Sequence, residues 1–148
     1  MRAIAPTGAI FAFLTLATGS LWGRPMWGSW WVWDGRLTSM LVLFFFFIGY
    51  LALSSGFERS ERGARPAAIL ALVGCINLPI VKFSVDWWNT LHQPASILRA
   101  GGPAIDSSML WPLFTMFIGL QTLFFLLVLM QMQTSLMKRR LQRLQTEL

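Results

Sequence analysis

Four apolar runs divide the sequence, and polar residues collect between and after them. The runs cover about residues 3–21, 37–54, 66–81 and 109–131. A helix needs about 20 mostly apolar residues to cross a bilayer. The pattern therefore predicts an all-α integral membrane protein with four transmembrane helices in a single membrane domain, residues 1–148. Outer loops are expected over about 22–36 and 83–108, and an inner loop over about 56–65. A basic tail, 132–148, follows the last span and is expected to continue as helix past the membrane surface.

Each run has its own punctuation. Pro6 falls in the first turn of the first run, where proline is tolerated. That run has two readings: a signal peptide with Arg2 as its basic region, or a retained span. Its length and the tryptophans directly after it favour the span, and both readings place Trp22 outside. The second run, with Leu41-Val42-Leu43-Phe44-Phe45-Phe46-Phe47-Ile48, is apolar all round. Gly56 and the charged cluster Glu58-Arg59-Ser60-Glu61-Arg62-Gly63-Ala64-Arg65 end it. Pro66 opens the third run, as suits a first helical turn. Asn77 and Pro79 interrupt that run and point to helix–helix contact. Cys75, in the same run, reads as a small buried residue. Gly19 and Gly23 form a weak small-residue packing signal. Lys82 is placed to snorkel to the outer interface.

Composition agrees with the pattern. Hydrophobic residues make up 55% of the chain and charged residues 12%, with a mean hydropathy of +0.59. Soluble domains carry about 25% charged residues. One cysteine excludes an internal disulfide framework and a cysteine-rich metal site. The formal net charge is +6, but the basic residues flank apolar spans rather than lining a soluble face, which excludes nucleic-acid binding. Their placement sets orientation. Arg2, Arg59, Arg62, Arg65, Lys138, Arg139, Arg140 and Arg143 fall on one side; Arg24, Arg36, Lys82 and Arg99 fall on the other. The richer side is expected to be cytoplasmic, so both termini are cytoplasmic. The basic tail also suits anionic lipid or a cytoplasmic partner.

The candidate chemistry then lies on the outer face. Trp22, Trp27, Trp30, Trp31 and Trp33 crowd one loop, and Trp87 and Trp88 stand in the other with His92, the single histidine. Indole suits either a membrane interface or a platform under a flat apolar ligand. Asp34 suits a cap for the second helix, and Arg36 suits the headgroup level, a pairing with Asp34, or an acidic ligand. His92 lies four residues after Trp88, on the same face if that segment is helical. Met26 and Met109 read as filler. Porphyrin iron needs aromatic surface, an axial nitrogen and cations for its propionates. The outer face holds all three, the cations being Arg24, Arg36, Lys82 or Arg99.

The stretch Trp22-Gly23-x-Pro25-Met26-Trp27-Gly28-x-Trp30-Trp31-Val32-Trp33-Asp34-x-Arg36-Leu37-Thr38 resembles the tryptophan-rich WWD signature of haem-handling proteins in cytochrome c biogenesis. Within that superfamily, Ser84-Val85-Asp86-Trp87-Trp88-Asn89-Thr90-Leu91-His92-Gln93 resembles a loop of the haem exporter protein C family, and Asn77-Leu78-Pro79-Ile80 extends the likeness. The resemblance implies a bacterial inner-membrane protein of the type I maturation system, with haem b as transient cargo. It implies transfer to a periplasmic haem chaperone, beside ABC-transporter subunits and a small membrane subunit. His92 matches the family's second axial histidine. Trp27, Trp30, Trp31 and Trp33 match its porphyrin platform, and Arg24 or Arg36 would meet a propionate.

The resemblance also carries a departure. Such proteins have six spans, and their other axial histidine lies in the first outer loop. This sequence resembles their C-terminal two-thirds, so His92 is expected to be half of a two-histidine site. The expected role is binding and transfer, without bond-making catalysis by the chain's own side chains. Rival readings are a haem-free membrane scaffold, a truncated non-functional fragment, and a haem lyase-type subunit of the same superfamily.

Overall fold

The computed structural model describes residues 3–56, 64–94, 96–97 and 101–146. Arg2, the charged run 58–63 and Arg99 lie outside the described residues. Four helices account for most of the rest: α1 (Ala5–Trp27), α2 (Gly35–Gly56), α3 (Ala64–Trp87) and α4 (Ser107–Thr146). All four are long and apolar enough to cross a membrane. The chain is a multi-pass membrane protein.

Helices α1, α2 and α3 belong to one compact unit, with α2 in contact with both neighbours. α1 offers α2 a face of small residues: Ala5, Gly8, Ala9 and Ala12 are buried along it. Without a hydrophobic force between helices in lipid, such residues let backbones approach and gain dispersion contact. Ala5, Tyr50 and Ala67 are buried together where α1 begins, α2 ends and α3 begins, with Phe47 and Leu70 packed against them. The outward faces carry exposed Phe13, Phe45, Ile69 and Leu72, as lipid contact requires. Hydroxyls inside the spans fold back on their own helices. Thr15 donates to the Phe11 carbonyl at 2.8 Å and Thr18 to the Leu14 carbonyl at 2.7 Å. No water is needed to satisfy them.

Three sequence expectations change here. Cys75 is exposed on α3 rather than buried. Asn77, two residues on, takes the inward position and donates to the Ser39 carbonyl on α2 at 2.8 Å. A Cβ on Gly19 would meet nothing within 4 Å, and one on Gly23 would meet Trp27 of the same helix. The two glycines therefore make no helix–helix seam among the described residues. Helix also extends further into the outer loops than the apolar runs suggested. α1 continues through Pro25 to Trp27, and α3 continues through Pro79 to Trp87. The boundary signals were charge and tryptophan, and neither breaks a helix. The stop for α1 is Gly28, in the left-handed conformation (φ 77°), whose N–H donates to the Arg24 carbonyl at 3.1 Å.

α4 belongs to a second unit, Ser96–Leu148. Asp106 caps it, accepting from the Ser108 N–H at 2.9 Å and from the Ser108 hydroxyl at 2.6 Å. Its 40 residues include the basic tail as far as Thr146. That length is about 60 Å, roughly twice the apolar thickness of a bilayer.

Candidate functional site

The site is built where α1 ends, α2 begins and the chain leaves α3. Asp34 stands immediately before α2, and its Oδ1 accepts from the Leu37 N–H at 2.8 Å. This is the helix cap that its position suggested. The other carboxylate oxygen faces a different element. Oδ2 lies 2.6 Å from His92 Nδ1 and also accepts from the Thr90 hydroxyl. Thr90 Oγ1 in turn accepts from the His92 backbone N–H at 3.1 Å and lies 3.0 Å from Nδ1. Asp34, Thr90 and His92 thus form a closed triangle joining the start of α2 to the chain after α3.

Burial fixes the character of this triangle. The Asp34 side chain is 4% exposed and that of His92 16%. Burial raises the Asp34 carboxyl. The hydrogen bonds from Thr90, the Leu37 N–H and His92, with the charge attraction of His92, outweigh it and hold the group below the ordinary carboxylate range. Asp34 is therefore an acceptor at neutral pH, so the proton on the Asp34–His92 bond sits on Nδ1. No hydrogen bond joins Nε2 to any described residue. Of the three settings open to Arg36, a pairing with Asp34 is not formed; Asp34 pairs with His92 instead.

Aromatic rings surround the imidazole unevenly. Trp27 meets His92 edge to face at 4.7 Å, and Trp22 meets Trp27 at 5.2 Å. Trp31 and Trp33 pair with each other at 5.4 Å, and the Trp31 Nε1–H is buried with no acceptor among the described residues. Trp30 lies under the Arg24 guanidinium at 5.8 Å. Trp87 stacks on Phe83 and touches Trp88 at 6.2 Å. Of the indoles expected as one platform, only Trp27 contacts the His92 ring; Trp30, Trp33, Trp87 and Trp88 are more than half exposed. Arg36 occupies the first turn of α2, half-buried.

The helical reading of the Trp88–His92 segment does not hold. α3 stops at Trp87, and residues 88–92 form bends and irregular backbone. His92 reaches the site because the chain turns back over α2, not because it shares a helix face with Trp88. Sequence reasoning missed Thr90. Its signal was a hydroxyl two residues before the histidine, a spacing at which side chain and backbone hydrogen-bond locally.

The comparisons agree with the sequence motif. The model of the family described as heme exporter protein C matches residues 1–147. The chain belongs to that family. The heme exporter protein C of Bradyrhizobium diazoefficiens is 56% identical over 144 residues, covering 97% of this chain and 55% of the relative. That of Haemophilus influenzae is 50% identical over 143 residues, covering 97% of this chain and 58% of the relative. That of Escherichia coli K12 is 50% identical over 115 residues, covering 77% of this chain and 47% of the relative. The chain spans about half the length of these curated family members.

Proposed function

We propose that this chain binds haem b as cargo on the periplasmic face of the bacterial inner membrane and presents it for cytochrome c maturation. Both termini lie in the cytoplasm, as the eight-to-four division of basic residues supports. The receiver is a periplasmic haem chaperone, and the neighbours are ABC-transporter subunits and a small membrane subunit. Family membership supports this reading, since the relatives bear the name heme exporter.

One observation carries the site. His92, the chain's single histidine, is held at Nδ1 by Asp34, while Nε2 makes no hydrogen bond to any described residue and Trp27 packs against the ring. That donor set fits haem: an imidazole nitrogen for iron, indole surface for the macrocycle, and Arg24 or Arg36 for a propionate. The buried Trp31 N–H, without an acceptor among the described residues, adds a donor for an anionic group. Haem supplies the redox-active iron; the chain supplies grip and orientation. Its side chains bind and hand on rather than make bonds.

The test is haem titration of the 148-residue chain in detergent, read by absorption and by haem per chain. Wild type should give a histidine-type Soret band. His92→Ala should abolish or strongly blue-shift it, while Trp27→Ala should weaken binding without changing the ligation spectrum. Identical spectra for wild type and His92→Ala would remove His92 from the site.

A further inference from the structure

The Asp34–Thr90–His92 triangle does more than tie α2 to the chain after α3. We propose that Asp34 is a positioning residue that locks His92 in the Nδ1–H tautomer, so that Nε2 alone is offered to a metal, and that it strengthens that nitrogen as a donor. The inference rests on the haem reading for its ligand, but the tautomer lock itself is a property of the protein without haem.

The geometry points to it in three steps. A carboxylate only accepts, so the 2.6 Å contact requires the proton on Nδ1. Thr90 reinforces the arrangement. Its own proton goes to Asp34 Oδ2, which leaves its oxygen lone pairs for the His92 N–H at 3.1 Å and for the Nδ1–H at 3.0 Å. Nδ1 therefore faces two acceptors, and the opposite tautomer would set its lone pair against the carboxylate. Finally, Asp34 is fixed independently by the Leu37 N–H, so the acceptor cannot turn away from the ring. A carboxylate behind a ligating imidazole fixes ring orientation and raises ligand basicity, and removing such a partner weakens metal binding roughly 10- to 100-fold. More electron density on the axial nitrogen also favours ferric over ferrous iron.

A single histidine makes the test direct. Labelling the chain with 15N-histidine gives one imidazole spectrum, read in detergent without haem at about pH 8.5, two units above the ordinary histidine value. Wild type should show a protonated Nδ1 and an unprotonated Nε2. Asp34→Asn keeps an oxygen for the Leu37 N–H but turns an amide donor toward the ring, so the proton should move to Nε2. Thr90→Val should keep the Nδ1–H tautomer. With haem added, Asp34→Asn should bind roughly 10- to 100-fold more weakly, and the haem it retains should have a more positive midpoint potential. A mixed tautomer in wild type, as in free histidine, overturns the proposal without any variant. So does unchanged haem affinity and potential in Asp34→Asn while His92→Ala loses the Soret band. If the tautomer is locked but wild type binds no haem, the haem reading fails and the proposed metal-facing role of Asp34 falls with it, the lock itself remaining.

Discussion

Gly35 lies against the indole of Trp88: a Cβ there would sit 3.0 Å from Trp88 Cε3 and 3.4 Å from Ser84 Cβ. This close approach lets the start of α2 pack on the end of α3, beside the Asp34–His92 contact. Ser84 is fully buried and has no room to move, whereas Trp88 is half exposed and can swing. Gly35→Ala should therefore be nearly neutral, because the indole gives way. Gly35→Val should cost about 1–3 kcal/mol, the usual penalty for overpacking. Thermal unfolding in detergent reads both, and an unchanged midpoint for Gly35→Val would mean that Trp88 does not pack there.

Asn77 and Ser39 predict a second stability effect. The Asn77 amide donates to the Ser39 carbonyl at 2.8 Å and is buried between α3 and α2. Interhelical hydrogen bonds in membranes contribute about 0.6 kcal/mol on average and up to about 1.7. Asn77→Leu should destabilise the α2–α3 pair within that range. The loss should be small because the Ser39 carbonyl lies inside α2 and keeps its own helical N–H partner. Denaturant titration of the two proteins in the same detergent measures the difference, and a stabilised Asn77→Leu would show that the amide is a net burden.

The spans were legible because lipid imposes one rule: about 20 apolar residues and no unsatisfied backbone. The runs around Phe44–Phe47 and Leu70–Val73 obey it openly. The helix ends were less legible. Tryptophan and Pro25 mark the interface, but helix termination is set by Gly28 and by the Asp34 cap, which need φ and hydrogen-bond geometry to be seen. The site was legible in its residue types and not in its pairing. Asp34 and His92 are 58 positions apart, and no local periodicity links them. The motif pointed to four indoles as one platform. Side-chain packing splits them into Trp27 against His92, a Trp31–Trp33 pair, and Trp30 under Arg24.

The turn after α1 carries a third prediction. Gly28 has φ 77°, and Arg24 donates to its carbonyl at 2.5 Å while covering Trp30. A side chain in the left-handed region costs about 1–2 kcal/mol. Gly28→Ala should lower stability by that amount and loosen Trp30, Trp31 and Trp33 together, since Ser20 also holds the Trp30 carbonyl at 2.7 Å. Arg24→Ala removes the cation and the carbonyl contact but not the φ constraint, so its effect should be smaller and centred on Trp30. Collisional quenching of tryptophan fluorescence should rise in both variants, more in Gly28→Ala. Equal quenching in wild type and Gly28→Ala would show that the turn does not order these indoles.

Acid should release the triangle, and the sign follows from Asp34. Its folded carboxyl lies below the ordinary value, so the unfolded state binds a proton more readily than the folded one. The stabilisation is then complete above the unfolded value of about 3.9 and is lost as pH falls from there through the folded value. Protonated Asp34 keeps an oxygen for the Leu37 N–H but no longer attracts His92, so the chain after α3 should detach before α2 unravels. Trp27 reports this, because its ring lies 4.7 Å from the imidazole. In a pH titration of tryptophan emission in detergent, wild type should change at and below about pH 4 while helical content stays constant. Asp34→Asn has no carboxyl to titrate and should show no step in that window. A step of equal size in Asp34→Asn would assign the transition to another group and leave the triangle without a role in acid stability.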